Sequence, residues 1–305
     1  MGLLFAFFAA LLASISNLLM RLSIGKGGSS RAYLLVQLSF SFLMMILLNP
    51  VRTMDFSVNM PSIILGLLGG VLLGAVMWSL GKSLESGPPG LSLAIINTSS
   101  IMPAIMLTLL FGSTYGHGYT LMNGMGSLLV AAGILWAGWT RDAASSKRAW
   151  LIFVTAVFIF HTLYLVYLQW WAMLLSSELP LSKLVPFHLQ PLHTAWFMPA
   201  IFFSAAIFQC VVYFRNETRL PRGEEVKYGL LGGVINGGCA FFLILAPQVA
   251  KPWENAMLFP IFSVSIILIC NIWAKLLYKE HVNWLANGLC IGGLLIGTIS
   301  WSLLT

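Results

Sequence analysis

Charge is what this chain has least of. Asp and Glu number 9 and Lys and Arg 16 in 305 residues, so 8% of positions are charged, against roughly a quarter in a soluble domain. A soluble globular fold of this length needs a charged exterior, and the composition excludes one. What fills the sequence instead is hydrophobic residues at 59%, in runs free of charge that recur from Met1 to Thr305, with a mean hydropathy of +0.90. A helical span takes about 20 apolar residues, and the chain divides into ten of them, an all-α polytopic membrane protein.

Other absences narrow the chemistry. The four cysteines, Cys210, Cys239, Cys270 and Cys290, sit inside apolar runs without the paired spacing of a disulfide framework or metal site. No basic stretch interleaved with aromatics is present, which speaks against a nucleic-acid partner. No Gly-Lys-Ser/Thr loop is available to cradle phosphate, so ATP-driven transport by this chain alone is disfavoured and no cofactor is expected. No Asp or Glu falls well inside a span; Glu85, Glu254 and Glu280 lie near span ends. Carboxylate-based proton or sodium coupling therefore lacks a carrier. The longest connection, Ser176 to Thr194, holds Pro180, Pro186 and Pro191 with His188 and His193. It reads as an extended exposed loop rather than a metal site, because the histidines lack accompanying Cys or acidic ligands.

Hydropathy and the Pro, Gly and charge punctuation place spans near 2–24, 33–49, 61–84, 91–111, 119–140, 150–175, 195–214, 228–248, 254–277 and 283–304. The apolar N-terminal run has no Lys or Arg before Arg21, so it lacks the basic start of a signal peptide, and Ala6 stands where a myristoylation signal needs Ser or Thr. Thirteen of the 16 Lys and Arg fall in the odd-to-even loops, leaving Arg52, Lys183 and Lys251 on the other side. The positive-inside rule then puts the thirteen-charge side in the cytoplasm and both chain ends outside, in a cell (plasma or inner) membrane.

A repeat underlies this pattern. Gly66-Leu67-Leu68-Gly69-Gly70-Val71 recurs as Gly229-Leu230-Leu231-Gly232-Gly233-Val234, displaced by 163. Asn123-Gly124 and Gly133 recur as Asn287-Gly288 and Gly297, displaced by 164. Residues 1–144 and 145–305 thus form two five-helix repeats. An odd span count makes the second enter the bilayer from the opposite face, and such inverted pairs hold a solute near the midplane between halves. Static packing of small residues explains the glycines equally well.

Pro260-Ile261-Phe262-Ser263, Leu276-Leu277-Tyr278-Lys279-Glu280, Asn287-Gly288 and Gly292-Gly293-Leu294-Leu295-Ile296-Gly297 resemble the ninth-span Pro, acidic turn and Gly-rich tenth span of the drug/metabolite transporter superfamily, EamA-like branch. In the first half Pro103 and Gly112 match, while Ser113, Thr114 and Tyr115 stand where the pattern has Glu. The resemblance implies a secondary carrier of small organic solutes such as amino acids, sugars, nucleotide sugars, amines or drugs. It also implies cytoplasmic chain ends for many members, opposite to the Lys and Arg count.

Polar groups within hydrocarbon are site candidates by default. Span 1 offers Ser14 and Asn17; span 3 offers Trp78 and Lys82, with Lys82 able to pair with Glu85, to snorkel, or to meet an anionic solute. In span 4, Asn97-Thr98-Ser99-Ser100 precede Pro103, whose ring disrupts the bond to the Ser99 carbonyl. Span 9 places Pro260 before Ser263 and Ser265, so both halves are expected to present unwound backbone, unless the hydroxyls bond their own helix. The Asn97 sequon lies inside the membrane, which argues against glycosylation. Span 6 carries His161, Tyr164 and Tyr167, with Gln169, Trp170 and Trp171 beyond. His161 and Tyr164 read as cavity lining, able to stack on a sugar, amine or aromatic solute, and the tryptophans as an interfacial belt. His161 titrates near neutrality when unperturbed, yet a neutral histidine held by a hydroxyl is the commoner case. Span 8 adds Asn236 and Cys239.

The leading expectation is an alternating-access carrier of a small polar metabolite, amino-acid-like or sugar. Asn17, Trp78, Lys82, Asn97, Ser100, His161, Tyr164, Asn236 and Ser263 would bind the solute, and its partners would be that solute and the lipid bilayer. Facilitated diffusion or exchange fits as well as proton symport. The alternative is an intramembrane enzyme acting on a lipid-linked substrate, which needs a nucleophile and base at one depth.

Overall fold

The computed structural model describes residues 1–86, 89–112, 120–138, 147–175, 192–251, 254, 257–278 and 283–298. Pro180, Pro186, Pro191, Lys183, His188, Ser113 to Tyr115, Lys279, Glu280 and the Glu85 side chain lie outside them. Every regular element among the described residues is helical: α1 Gly2–Gly25, α2 Ser30–Ile46, α3 Met60–Ser86, α4 Pro89–Thr98, α5 Met102–Phe111, α6 Leu121–Gly138, α7 Lys147–Leu175, α8 Phe197–Asn216, α9 Gly223–Val249, α10 Leu258–Tyr278 and α11 Trp284–Thr298. Seven of them are long and apolar enough to cross a membrane, and shorter apolar helices cover Ile95–Phe111, Leu121–Trp136 and Trp284–Ile296. This is an all-α, multi-pass membrane architecture.

Proline chemistry sets two of the boundaries. Ahead of Pro103 the helix stops at Thr98, passes through one 3-10 turn at Ser99–Ile101 and restarts as α5. Pro103 then lies in the first turn of α5, where its missing N–H is no loss. The expected counterpart break at Pro260 does not form. α10 begins at Leu258, so Pro260 also falls in a first turn and the helix runs unbroken to Tyr278. The interruption therefore belongs to one half only, and Glu254, expected to open span 9, lies just ahead of the helix.

Small residues decide which helices meet. α3 packs on α7 and α8, α2 on α8 and α9, α1 on α9 and α10, and α6 on α11. On α3, a Cβ at Gly66 would lie 2.6 Å from both the Ala200 Cβ and the Phe197 carbonyl of α8. On α9, a Cβ at Gly229 would lie 2.7 Å from the Val36 Cβ and 3.3 Å from the Tyr33 carbonyl of α2. Gly70 and Gly233 continue the two seams, against Ile201 and Ser204 in one and Gln37 and Phe40 in the other. Adding 163 to the α3 glycines gives the α9 glycines, and adding 164 to Tyr33, Val36, Gln37 and Phe40 gives Phe197, Ala200, Ile201 and Ser204. Each glycine row thus packs on a helix of the other half. α6 and α11 run antiparallel: Gly133 faces Ala286 and Cys290, while Gly293 faces Gly126 and Val130.

The loops gather at two ends. At one, Lys26 pairs with Glu224 at 3.1 Å, and the Ser29 amide donates to Glu225 at 2.6 Å. Glu225 is fully buried and also takes both Arg219 guanidinium nitrogens, at 2.7 and 2.6 Å, and the Arg222 amide at 2.6 Å. At the other end Asn49 Nδ2 donates to the carbonyls of Thr194 and Ala195, at 2.6 and 3.0 Å, and the His193 amide donates to Ser62 Oγ at 3.1 Å. The charged end is the one that sequence reading assigns thirteen of the cations.

Candidate functional site

The interrupted helix supplies the centre of the site. Ser99 Oγ donates to the Ile96 carbonyl at 2.6 Å, next to the break that Pro103 imposes. His161 Nδ1 of α7 lies 2.5 Å from the same hydroxyl and 3.2 Å from the same carbonyl. A hydroxyl has one proton: where Ser99 gives it to Ile96, the ring donates from Nδ1–H and Nε2 is its acceptor, and in the other tautomer Nδ1 accepts the Ser99 proton. Asn97 is buried and donates from Nδ2 to the Leu93 carbonyl of its own helix at 2.7 Å.

Two further hydroxyls in this layer are spent on nothing. Ser100 in the turn and Ser263 on α10 are 2% and 0% exposed, and neither Oγ has a hydrogen-bond partner among the described residues. They stand 163 positions apart, the displacement that relates Gly66 to Gly229. α10 packs directly against the Ser99–Ile101 turn. Ile96, Tyr164, Cys239, Phe262 and Ile266 belong to one apolar core to which α4, α7, α9 and α10 all contribute. Tyr164, buried one turn beyond His161, lies beside Cys239.

Asn97 and Ser100 thus flank the Ser99 to His161 contact, Ser263 lies on the helix that packs against that turn, and Tyr164 lies one turn beyond His161; the other expected residues lie elsewhere. Trp78 sets its ring edge-on against Phe153 at 5.7 Å. With Lys82 it lines a narrow crevice shared with Ser30, Arg31 and Gln209 at the charged end. Asn236 Nδ2 donates to Ser41 Oγ at 3.0 Å, and Ser41 donates to the Gly233 carbonyl at 3.0 Å, so this amide joins α9 to α2. Asn17 is exposed on α1, near Cys270. The belt expected at Trp171 is replaced by core packing: its ring is fully buried and stacked on Phe197, centroids 3.7 Å apart and planes 6° from parallel. Trp170 leans on Tyr167, whose hydroxyl donates to the Leu65 carbonyl of α3.

Sequence reading passed over Ser99, although its carbonyl is the one that Pro103 displaces. That carbonyl accepts from the Met102 N–H in the 3-10 turn, while the Ser99 hydroxyl bonds Ile96, so residue i−4 to a proline within a span is a usable signal for a local rearrangement.

No family model matches the chain, and no curated protein matches it. Among solved structures, one crystal structure is similar over 97% of this chain and 97% of its own, with a TM-score of 0.70 at 15% sequence identity. The likeness shows that the whole chain follows a fold found elsewhere.

Proposed function

We propose that this protein is a secondary carrier that moves a small polar organic metabolite across the membrane by alternating access, in the manner of the EamA-like transporters it resembles. One observation carries the reading: Ser100 and Ser263, one in each half and related by the repeat displacement, are buried hydroxyls with no partner among the described residues. Such a group costs about 1–3 kcal/mol, and a bound solute that accepts or donates there removes that cost. His161, bonded to Ser99 next to Ser100, and Tyr164 one turn further along α7 add an imidazole and a stacking surface.

The two glycine seams, with their constant displacements and exchanged partners, support two inverted five-helix repeats. A fold of that kind exposes a midplane site to one side and then the other as the halves rock. The gathering of cations at one end supports placing that end in the cytoplasm.

The Ser99 to His161 contact gives the enzyme alternative its one specific observation, a hydroxyl and an imidazole at bonding distance. A base that activates Ser99 must accept its proton, whereas a Ser99 that donates to the Ile96 carbonyl leaves the imidazole as the donor. Counterflow of labelled amino acids, sugars, nucleosides and amines in proteoliposomes, with and without a pH gradient, tests the carrier reading. Saturable counterflow of one class is expected. Silence across the panel with verified insertion, together with hydrolysis or transfer on lipid-linked substrates that Ser99→Ala abolishes, would overturn it.

A further inference from the structure

The two glycine seams are built alike except at one point. A Cβ on Gly70 of α3 would lie 2.7 Å from the Ser204 Cβ of α8, and one on Gly233 of α9 would meet the Phe40 Cβ of α2 in the same way. Adding 163 to Leu67, Leu68 and Val71 gives Leu230, Leu231 and Val234, and subtracting 164 from Ile207 gives Leu43, so the neighbours are apolar and of similar size in both seams. The pair Phe203-Ser204 is reversed as Ser39-Phe40. Where the serine stands, a groove of about 350 Å³ opens between α3 and α8, bounded by Ile64 to Val71 on one side and Phe203 to Ile207 on the other. Phe203 borders the groove without closing it; its ring leans on Phe42 of α2, centroids 5.4 Å apart.

Depth decides what can fill this space. Val71 and Phe203 to Ile207 fall in the middle stretches of Met60–Ser86 and Phe197–Asn216, and both helices are long and apolar enough to cross the membrane. No water is available at that level. The rim side chains Ile64, Leu68, Val71, Phe203 and Ile207 are 45–55% exposed, so the groove opens outward, toward hydrocarbon. Left empty, it would forfeit the dispersion contacts that hold spans together.

We propose that the groove holds one acyl chain of a bilayer lipid, which supplies beside Ser204 the apolar bulk that the ring of Phe40 supplies in the other seam. The inference needs only that the two helices span the bilayer and is independent of the transport reading. None of the residues lining the groove is charged, and apart from the Ser204 hydroxyl the side chains are aliphatic or aromatic, which suits a hydrocarbon chain and no headgroup. A second copy of the protein would meet this face as a helix about 10 Å across, whereas the difference between the seams is one side chain wide.

The other seam provides an internal reference for the test, because Leu43, Leu231 and Val234 are 46–49% exposed and meet bulk lipid to a similar degree. The full chain is placed in phosphatidylcholine vesicles containing a phosphatidylcholine with a diazirine in the middle of one acyl chain, irradiated, and its adducts are mapped by peptide mass spectrometry. Adducts on residues 64–71 and 203–207 are expected in excess of those on 39–43 and 230–234. Ser204→Phe should bring the groove down to the reference level, and Phe40→Ser should raise the reference seam toward the groove level; the second variant decides the matter if the first fails to fold. Equal yields on the two seams of the native chain, or an excess that Ser204→Phe leaves unchanged, overturn the proposal. A yield in the groove below the reference overturns it as well, and a dimer in light scattering would then seat a second copy there.

Discussion

The backbone amide of Ser29 donates to the buried carboxylate of Glu225 at 2.6 Å, and a neutral link at positions displaced by 163 and 164 lies at the opposite end of the molecule. His193 stands 164 residues after Ser29, and Ser62 stands 163 before Glu225; their amide-to-hydroxyl bond is 3.1 Å. One geometry has thus been given a fourfold-bonded carboxylate at the cation-rich end and a serine at the other. Removing the two acceptors should cost unequal amounts. Glu225→Ala leaves Arg219 only Glu217, at 3.0 Å, and the Leu220 carbonyl, and strips two backbone donors of their acceptor, a loss of about 3 kcal/mol, whereas Ser62→Ala should cost about 1 kcal/mol. Thermal unfolding in detergent followed by Trp fluorescence checks this, and equal losses would remove the charged cluster from the account of stability.

The glycine seams predict position-dependent tolerance to a methyl group. At Gly66 and Gly229 an added Cβ meets backbone or a branch-point carbon within 2.7 Å, so Ala at either should cost about 1–3 kcal/mol through overpacking and reduce the yield of monodisperse protein. Gly292 of α11 has nothing within 4 Å of the same position. There Ala should stabilise by up to about 1 kcal/mol, the helix-propensity gain. Size-exclusion profiles and melting temperatures of the three variants decide it.

The same seams mark how far the sequence could be read. The Gly-rich hexapeptide and its displacement were visible in the letters, because Leu and Gly alternate there in a pattern specific enough to recur. Which helix each row would meet was not, since a glycine records only that something approaches closely. Pro103 announced the break in span 4 by removing one donor. Pro260 announced a break that does not occur, because the helix start, which decides whether a missing N–H matters, depends on the chain before it. Asn236 looked like a site residue for being polar in an apolar helix. An interhelical bond to Ser41 satisfies the same composition. Trp171 was misread for a related reason: tryptophan near a span end suits the interface, but the facing Phe197 ring offers a larger apolar contact.

Acid should weaken the link between the α1 start and the segment ahead of α10. Burial pushes the Glu254 carboxyl up, but the Lys251 amide at 2.6 Å, the N-terminal ammonium at 3.3 Å and the Leu3 amide at 3.5 Å favour its charged form and hold it below its ordinary 4.5. The folded chain thus binds this proton less tightly than the unfolded chain does. The stabilisation is complete above pH 4.5 and is lost as pH falls below that value through the lower folded one. Glu254→Gln should lower stability at neutral pH and flatten its decline in acid. Melting temperatures of both proteins across that range provide the check, and parallel curves would show that Glu254 is not the titrating group.

Ser100 and Ser263 separate function from stability most cleanly, because the two predictions run in opposite directions. A hydroxyl kept for structure has a partner, and its loss destabilises; these two are buried without one. Ser100→Ala and Ser263→Ala should therefore leave the melting temperature unchanged or raise it, by the equivalent of about 1 kcal/mol, since each removes an unsatisfied group. If the pair binds solute, each substitution should cut transport about tenfold, the value of one hydrogen bond to a polar ligand at about 1.4 kcal/mol. His161→Ala should also cut transport, but with a loss of stability, because it removes the ring's bond to Ser99 and opens a void beside the broken helix. Asn97→Ala should reduce transport with little change in folding. Counterflow and melting measured on the same four preparations read out both axes. Serine variants that transport normally while melting higher would show that the layer is a packing defect tolerated by the fold, and the solute site would have to be sought elsewhere.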